Sequence, residues 1–291
     1  MPELPEVETV RIGLQSLVLG KTIRAVDYDT AKSFPNVPAD VQQFLIGARI
    51  CAVRRRAKVL IIDLDSDYSL IIHLKMTGQL VFVGDERFGA GHPNDSLVGE
   101  LPDRSTRVTL RFDDESRLYF NDQRKFGWVR LMPTVEIPNI DFMRRLGPEP
   151  LADDFTAGVL FDRLQRRKGT SIKAALLDQS VLAGIGNIYA DEALWGAAIH
   201  PATKVVQLSL SQVELLHQEL QFVLRLSIEK GGSSDRNYVN AEGKKGSYIS
   251  FARVFRREGQ PCPRCSTIIE KSRVAGRGTH SCPSCQPLVS Y

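Results

Sequence analysis

Apolar and polar positions alternate along this chain with two different periods, and the change from one to the other divides it. Residues 3–18 place Val7, Val10, Leu14, Leu17 and Val18 at helical spacing, which predicts a leading helix with one buried face. A second short helix is expected within 34–48. From there β-rich runs take over, at 59–64, 70–74, 80–83, 107–112, 117–120 and 128–132, with turn signals at Asp65-Ser66-Asp67 and Asp113-Asp114-Glu115-Ser116. The glycine-bearing, aperiodic stretch 85–102 reads as a loop. Four prolines, Pro133, Pro138, Pro148 and Pro150, mark 133–150 as a linker. Helical spacing then resumes at about 155–167, 170–178, 187–196 and 209–230. A turn, 182–187, precedes the third of these. Residues 231–250 are rich in Gly, Ser, Asn and Lys and read as a loop, and 251–291 read as short strands around cysteines.

The pattern predicts an α+β multidomain chain. Residues 1–132 form a β-rich layered domain with a leading helix, 151–250 a helical domain with a loop, and 251–291 a cysteine-bearing appendage. Composition agrees with a globular protein: 43% of the 291 residues are hydrophobic and 25% charged. No apolar run approaches the roughly 20 residues of a membrane helix. The acidic start lacks the basic region of a signal peptide, so a cytoplasmic location is expected. Charge placement says more than the net +4: residues 231–291 hold ten Lys and Arg against four Asp and Glu. A basic block that coincides with four of the five cysteines suggests an appendage that binds a polyanion.

Those cysteines form two C-x2-C pairs, Cys262/Cys265 and Cys282/Cys285, with sixteen residues between them. This spacing predicts one tetrahedral zinc ion held by four thiolates, a closed and therefore structural site. Two disulfides would require an oxidising compartment. Cys51, alone, is expected to be a buried small hydrophobe. At the other end, Met1 precedes Pro2, a residue before which the initiator methionine is commonly removed. An α-amino group has a pKa of about 7.7–8.0, so part of it is uncharged at neutral pH. A helix N-terminus disfavours its protonation further. Such an amine can attack an electrophilic sugar carbon, with Glu3 or Glu6 moving protons beside it. Ordinary capping chemistry would produce the same residues.

Seven motifs decide between these readings: PELPEVET at 2–9, RRAK at 55–58, HLKMTG at 73–78, NDQRKFG at 121–127, LGPEP at 146–150, GIGNIYADE at 184–192 and GRGTHSC at 276–282. In type and order, over essentially the whole chain, they resemble bacterial formamidopyrimidine-DNA glycosylase (the Fpg family). Leu4 resembles this family rather than its relative endonuclease VIII, where Gly is usual. The resemblance implies an N-terminal β-sandwich with a leading helix, a helix-two-turn-helix domain with a lesion loop, and a C-terminal zinc β-hairpin. It implies a monomer, with no nucleotide cofactor, acting on double-stranded DNA that carries an oxidised base. The base would be flipped out, its N-glycosidic bond cut and the strand broken by β,δ-elimination; flipping is required because the sugar carbon is shielded in the stack.

Carried over by residue, the resemblance makes Pro2 the Schiff-base nucleophile and Glu3 the acid assisting ring opening. Lys58 serves β-elimination and phosphate binding, and Arg277 holds phosphates and assists the δ step. Met76, Arg124 and Phe126 fill the space left by the flipped base, and His73, Lys173 and Asn187 join the DNA contacts. The chain departs from the family at Lys125, at Phe255 and at Ser105-Thr106-Arg107. Two other readings stay open here: a sister glycosylase for oxidised pyrimidines, and a zinc-bearing DNA-binding protein without catalysis. Pro2, Glu3 and Lys58 together argue against the second.

Overall fold

The computed structural model describes residues 1–233 and 248–288. The lesion loop expected at 231–250 lies for the most part outside the described residues. Contacts divide the chain into two units, 1–144 with 228–247, and 145–227 with 248–291.

The first unit opens with α1 (Leu4–Val18), then β1 (Ile23–Tyr28) and a short helix α2 (Pro38–Asp40) continued by a wider turn to Leu45. Eight further strands follow: β2 (Ile50–Arg56), β3 (Val59–Leu64), β4 (Tyr68–His73), β5 (Gly78–Val83), β6 (Arg87–Gly91), β7 (Thr106–Phe112), β8 (Arg117–Asp122) and β9 (Trp128–Pro133). They make two antiparallel sheets, ordered β1-β7-β8-β5-β6 and β2-β3-β4-β9. Both sheets and α1 contribute to one apolar core that includes Val10, Leu14, Ile62, Ile72, Phe112 and Phe120. Helix α1 packs against β2 and β6, and its approach to β6 depends on Gly13. A Cβ there would fall 2.1 Å from the Phe88 ring. The stretch read from sequence as a loop thus contains β6 and a 3-10 turn, Asp95–Leu97. Residues 133–150 hold a 3-10 turn (Thr134–Asn139) and the short helix α3 (Asp141–Arg144).

The second unit contains α4 (Ala157–Gln165), α5 (Ile172–Leu177), α6 (Asn187–Gly196), α7 (Leu210–Glu229) and the hairpin β10 (Glu270–Val274) and β11 (Arg277–Ser281). Ser171 caps α5. Two turns join α5 to α6. Gln179 pins them by donating to the carbonyls of Leu177 (3.1 Å) and Ile185 (2.8 Å) and accepting from the Gly184 amide (3.0 Å). Glu192, fully buried on α6, accepts from the amides of Arg253, Val254 and Phe255 at 2.8–2.9 Å. That carboxylate ties the chain entering the zinc module to the helical layer. Among the described residues no helix is long and apolar enough to cross a membrane.

Candidate functional site

The chain start is held in a built environment. Pro2 is buried, and Glu3, 3% exposed, is the residue immediately before α1. The Glu6 carboxylate accepts from the Glu3 amide at 2.8 Å with one oxygen, and from the Ser233 amide at 2.8 Å with the other. One carboxylate therefore fixes both the helix start and the chain leading into the expected loop. Glu8 accepts from Arg55 at 2.9 Å, and Arg55 also donates to the Ala57 carbonyl at 2.9 Å. This pair ties α1 to the β2–β3 turn that carries Lys58. Lys58 is 8% exposed. A lysine kept this far from water is no ordinary surface charge.

His73 ends β4 and pairs across the sheet with Val59, the neighbour of Lys58. Burial, reinforced by the charges of Lys75 and Lys58, pushes its imidazole from 6.5 down to about 3. The ring is therefore neutral at pH 7. Its Nδ1 accepts from the Lys75 amide at 3.1 Å, so the proton sits on Nε2, which is left to donate.

Two turns carry the three side chains assigned to the vacated base site, and one carboxylate holds both turns. Asp122 is completely buried. Its Oδ1 accepts from the Thr77 hydroxyl and from the Arg124 amide (3.1 Å). Its Oδ2 accepts from the amides of Phe126 (2.8 Å) and Gly127 (2.7 Å). Met76, beside Thr77, and Phe126 are 36% and 46% exposed, so neither belongs to the core. The Arg124 guanidinium lies over the Phe126 ring at 4.8 Å. An exposed thioether, a guanidinium and an aromatic ring thus stand on two turns held by one buried anion. Ala57, Lys75 and Lys125 take φ of 51°, 51° and 54°, a region costly for side-chain-bearing residues, each directly before the side chain it aims. His92, which the sequence reading passed over, lies near enough to be influenced by both the chain terminus and Asp122. Burial and the terminal charge hold it below its ordinary value while Asp122 opposes them.

In the second unit, Arg277 is exposed at the start of β11, past the tight turn Ala275-Gly276, both residues of which have positive φ. Asn187 opens α6, as expected, and donates to the Gly278 carbonyl at 2.9 Å. Lys173 corrects the sequence reading, which grouped it with the DNA contacts. It is fully buried, and its ammonium donates to Asp191 (2.6 Å), Thr279 Oγ1 (2.8 Å) and the Gly278 carbonyl (3.1 Å). It positions β11 from within and does not present its charge to a phosphate. Cys51 is also corrected. It is exposed, because a bulge between Ile50 and Ala52 turns it outward while Ile50 and Val53 face the core.

The four remaining cysteines converge, their sulfurs all within 4.8 Å of one another. Two of the separations, 3.5 Å (Cys265–Cys282) and 3.9 Å (Cys262–Cys285), bracket the edge of a zinc–thiolate tetrahedron, about 3.8 Å for Zn–S bonds of about 2.3 Å. In each knuckle a backbone amide points at the first sulfur, from Arg264 to Cys262 and from Cys285 to Cys282. Thiols this close cannot all ionise unaided. Hydrogen bonds from Thr267 lead those that bring Cys265 down to about 6, while burial and the neighbouring sulfurs push Cys285 up to about 12. A divalent cation removes that conflict, and the set fits one structural Zn²⁺.

Comparison with known proteins gives the same picture over the full length. The formamidopyrimidine-DNA glycosylase N-terminal domain matches residues 1–129, its H2TH domain matches 146–238, and the zinc finger found in FPG and IleRS matches 259–288. A formamidopyrimidine-DNA glycosylase of Chloroflexus aurantiacus is 44% identical over 287 residues, 98% of each chain. The chain belongs to the formamidopyrimidine-DNA glycosylase family. The Bacillus licheniformis member is 43% identical, over 98% of this chain and 99% of its own. A Lactococcus lactis Fpg solved with abasic-site DNA superposes with a TM-score of 0.86 at 35% identity, covering 98% of this chain and 100% of its own. A mutant of that Fpg, in complex with Fapy-dG-containing DNA, gives the same TM-score at 34% identity.

Asp122 and His92 in the first unit, and Glu192 in the second, are residues that sequence reasoning left without roles. Asp122 and Glu192 stood inside quoted motifs. No spacing rule distinguishes a buried carboxylate that organises two loops from a strand-end aspartate.

Proposed function

We infer that this protein excises oxidised purines, such as 8-oxoguanine and formamidopyrimidines, from double-stranded DNA and then cleaves the strand, as a glycosylase and abasic-site lyase of the bacterial cytosol. The observation that carries the reading is the chain start. A proline at the head of a helix, Glu3 beside it, and a largely buried lysine on a turn tied to that helix provide an amine, a proton donor and a second cation.

Once Met1 is removed, the Pro2 imino nitrogen attacks C1′ of the flipped nucleoside. Glu3 protonates the deoxyribose ring oxygen as the ring opens, and the C1′–base bond breaks. The resulting iminium draws electrons from C2′, so the C2′ proton leaves and the 3′ C–O bond breaks. A second elimination releases the 5′ phosphate. Lys58 and Arg277 hold the phosphate oxygens that depart. Met76, Arg124 and Phe126 occupy the hole in the duplex, and unstacking costs a few kcal/mol per step, about what such a wedge must supply. Neutral His73 donates Nε2–H to a phosphate, and Asn187 at the start of α6 holds another. Zinc keeps the β10–β11 hairpin folded and takes no part in the chemistry.

The test is a strand-nicking assay on duplexes with one 8-oxoguanine, one formamidopyrimidine or one oxidised pyrimidine opposite cytosine. The expected result is β,δ-elimination products with faster purine excision. A Lactococcus lactis Fpg has also been captured with oxidised-pyrimidine DNA, so that lesion measures selectivity. Faster pyrimidine excision would favour the sister-glycosylase reading, and binding without nicking would favour a non-catalytic DNA binder.

A further inference from the structure

Trp195 lies in the last turn of α6 and is 5% exposed. Its indole nitrogen is fully enclosed and makes no hydrogen bond in this structure. A buried N–H donor without an acceptor is costly and uncommon. What the indole faces is the zinc centre. Its ring packs in a cluster with Cys262, Cys282, Val254 and Ile269. The Arg264 amide is aimed at the Cys262 sulfur (3.5 Å), and the indole N–H lies close enough to act on the same sulfur.

Arg264 lies between the two cysteines of the same knuckle and completes the arrangement. Its guanidinium stacks over the Trp195 ring at 4.1 Å and donates to the carbonyls of Trp195 and Gly196, both at 3.2 Å. These carbonyls belong to the C-terminal turn of α6, where a cation is favoured and free acceptors need partners. The knuckle thus caps the helix, while the helix supplies its only indole to the knuckle. Asn187 begins this same ten-residue helix.

We propose that Trp195 is an outer-sphere residue of the zinc centre, its indole N–H donating to the Cys262 thiolate and so fastening α6 to the metal. A thiolate that shares its negative charge with an N–H donor is held in position for the metal. Partners of this kind typically change metal affinity by 10–100-fold. Zinc would then hold more than the hairpin, because its grip extends along α6 toward the end that carries Asn187.

Trp195→Phe deletes the N–H together with part of the ring and keeps an aromatic face for Arg264, so zinc affinity rather than the melting temperature reads this role. Zinc affinity is measured on the full chain by competition with a chromogenic chelator at fixed pH. The substitution is expected to weaken zinc binding about tenfold, the lower end of that range. Unchanged affinity would overturn the proposal, even if the melting temperature falls. A second measurement covers the case in which the variant does not fold. The chain has two tryptophans, so Trp128→Phe leaves Trp195 as the only emitter. Its emission should change in step with zinc release under chelation. Emission that stays constant through complete zinc removal would also overturn the assignment.

Discussion

Replacing Asp122 with Asn perturbs the proposed wedge without altering any residue assigned to DNA contact. The carboxylate takes four donors, two on each oxygen. Asparagine keeps one acceptor oxygen and turns the other into a donor. In the better orientation the amide nitrogen faces Thr77, whose hydroxyl can reverse and accept, and the Arg124 amide keeps its bond to Thr77 Oγ1 (3.1 Å) but loses the one to residue 122. A hydrogen bond to a charged group contributes about 1.5–3 kcal/mol, and little is recovered from water because Asp122 is completely buried. If that loss appears in the flipped state, excision of a stacked lesion slows about tenfold to hundredfold. The assay compares single-turnover excision of 8-oxoguanine in a duplex with strand cleavage at a preformed abasic site, where no damaged base has to be unstacked. The first rate should fall and the second should stay within a few-fold. Equal losses would mean that Asp122 supports the whole unit, and no loss in either would refute the idea that it aims the two turns.

Three other outcomes are expected. His73 is depressed to about 3 in the folded chain from an ordinary 6.5. Between those values the unfolded chain binds the extra proton, so its contribution to stability is complete above 6.5 and lost as pH falls toward 3. His73→Gln should therefore lose less stability than the parent between pH 7 and pH 4, as read by denaturant melts, and an identical acid dependence would contradict this. Lys173→Met, which leaves Asp191 charged and buried, should cost about 3–5 kcal/mol, and adding Asp191→Leu should restore much of it; a thermal melt in which the double variant is worse than the single would argue against a buried ion pair. Zinc removal should abolish duplex binding, measured by fluorescence anisotropy, since the metal's binding energy is folding energy for the hairpin; full binding after verified removal would contradict the structural role.

The central strands and the helices of the second unit were legible because each buries one face or both. Residues 59–64 and 187–196 were read with the bounds they have in the structure. Strands β1 and β2 were missed for a common reason: each is half exposed and contains a register shift, Ile23/Ala25 and Ile50/Ala52, which breaks the two-residue period. The same bulge defeats the expectation for Cys51. Strand β6 was hidden because its glycines, which read as loop signals, serve close packing, with Gly91 lying against Gln79. At the site, the C-x2-C pairs needed only spacing rules. The proposed nucleophile and wedge come from motif resemblance alone. Lys173 was misplaced because sequence does not tell a buried cation from an exposed one; Asp191, which neutralises it, is 18 residues away.

The claim on which the rest depends is that the second residue carries the reactive amine. The most direct measurement is borohydride reduction of the protein on 8-oxoguanine duplex, followed by digestion and mass spectrometry of the cross-linked peptide. The chain is expected to start at Pro2, the deoxyribose adduct to be on the peptide ending at Arg11, and its mass to place the bond at the prolyl nitrogen. An adduct on Lys58 or any other lysine, or full activity in chains that retain Met1, would contradict it.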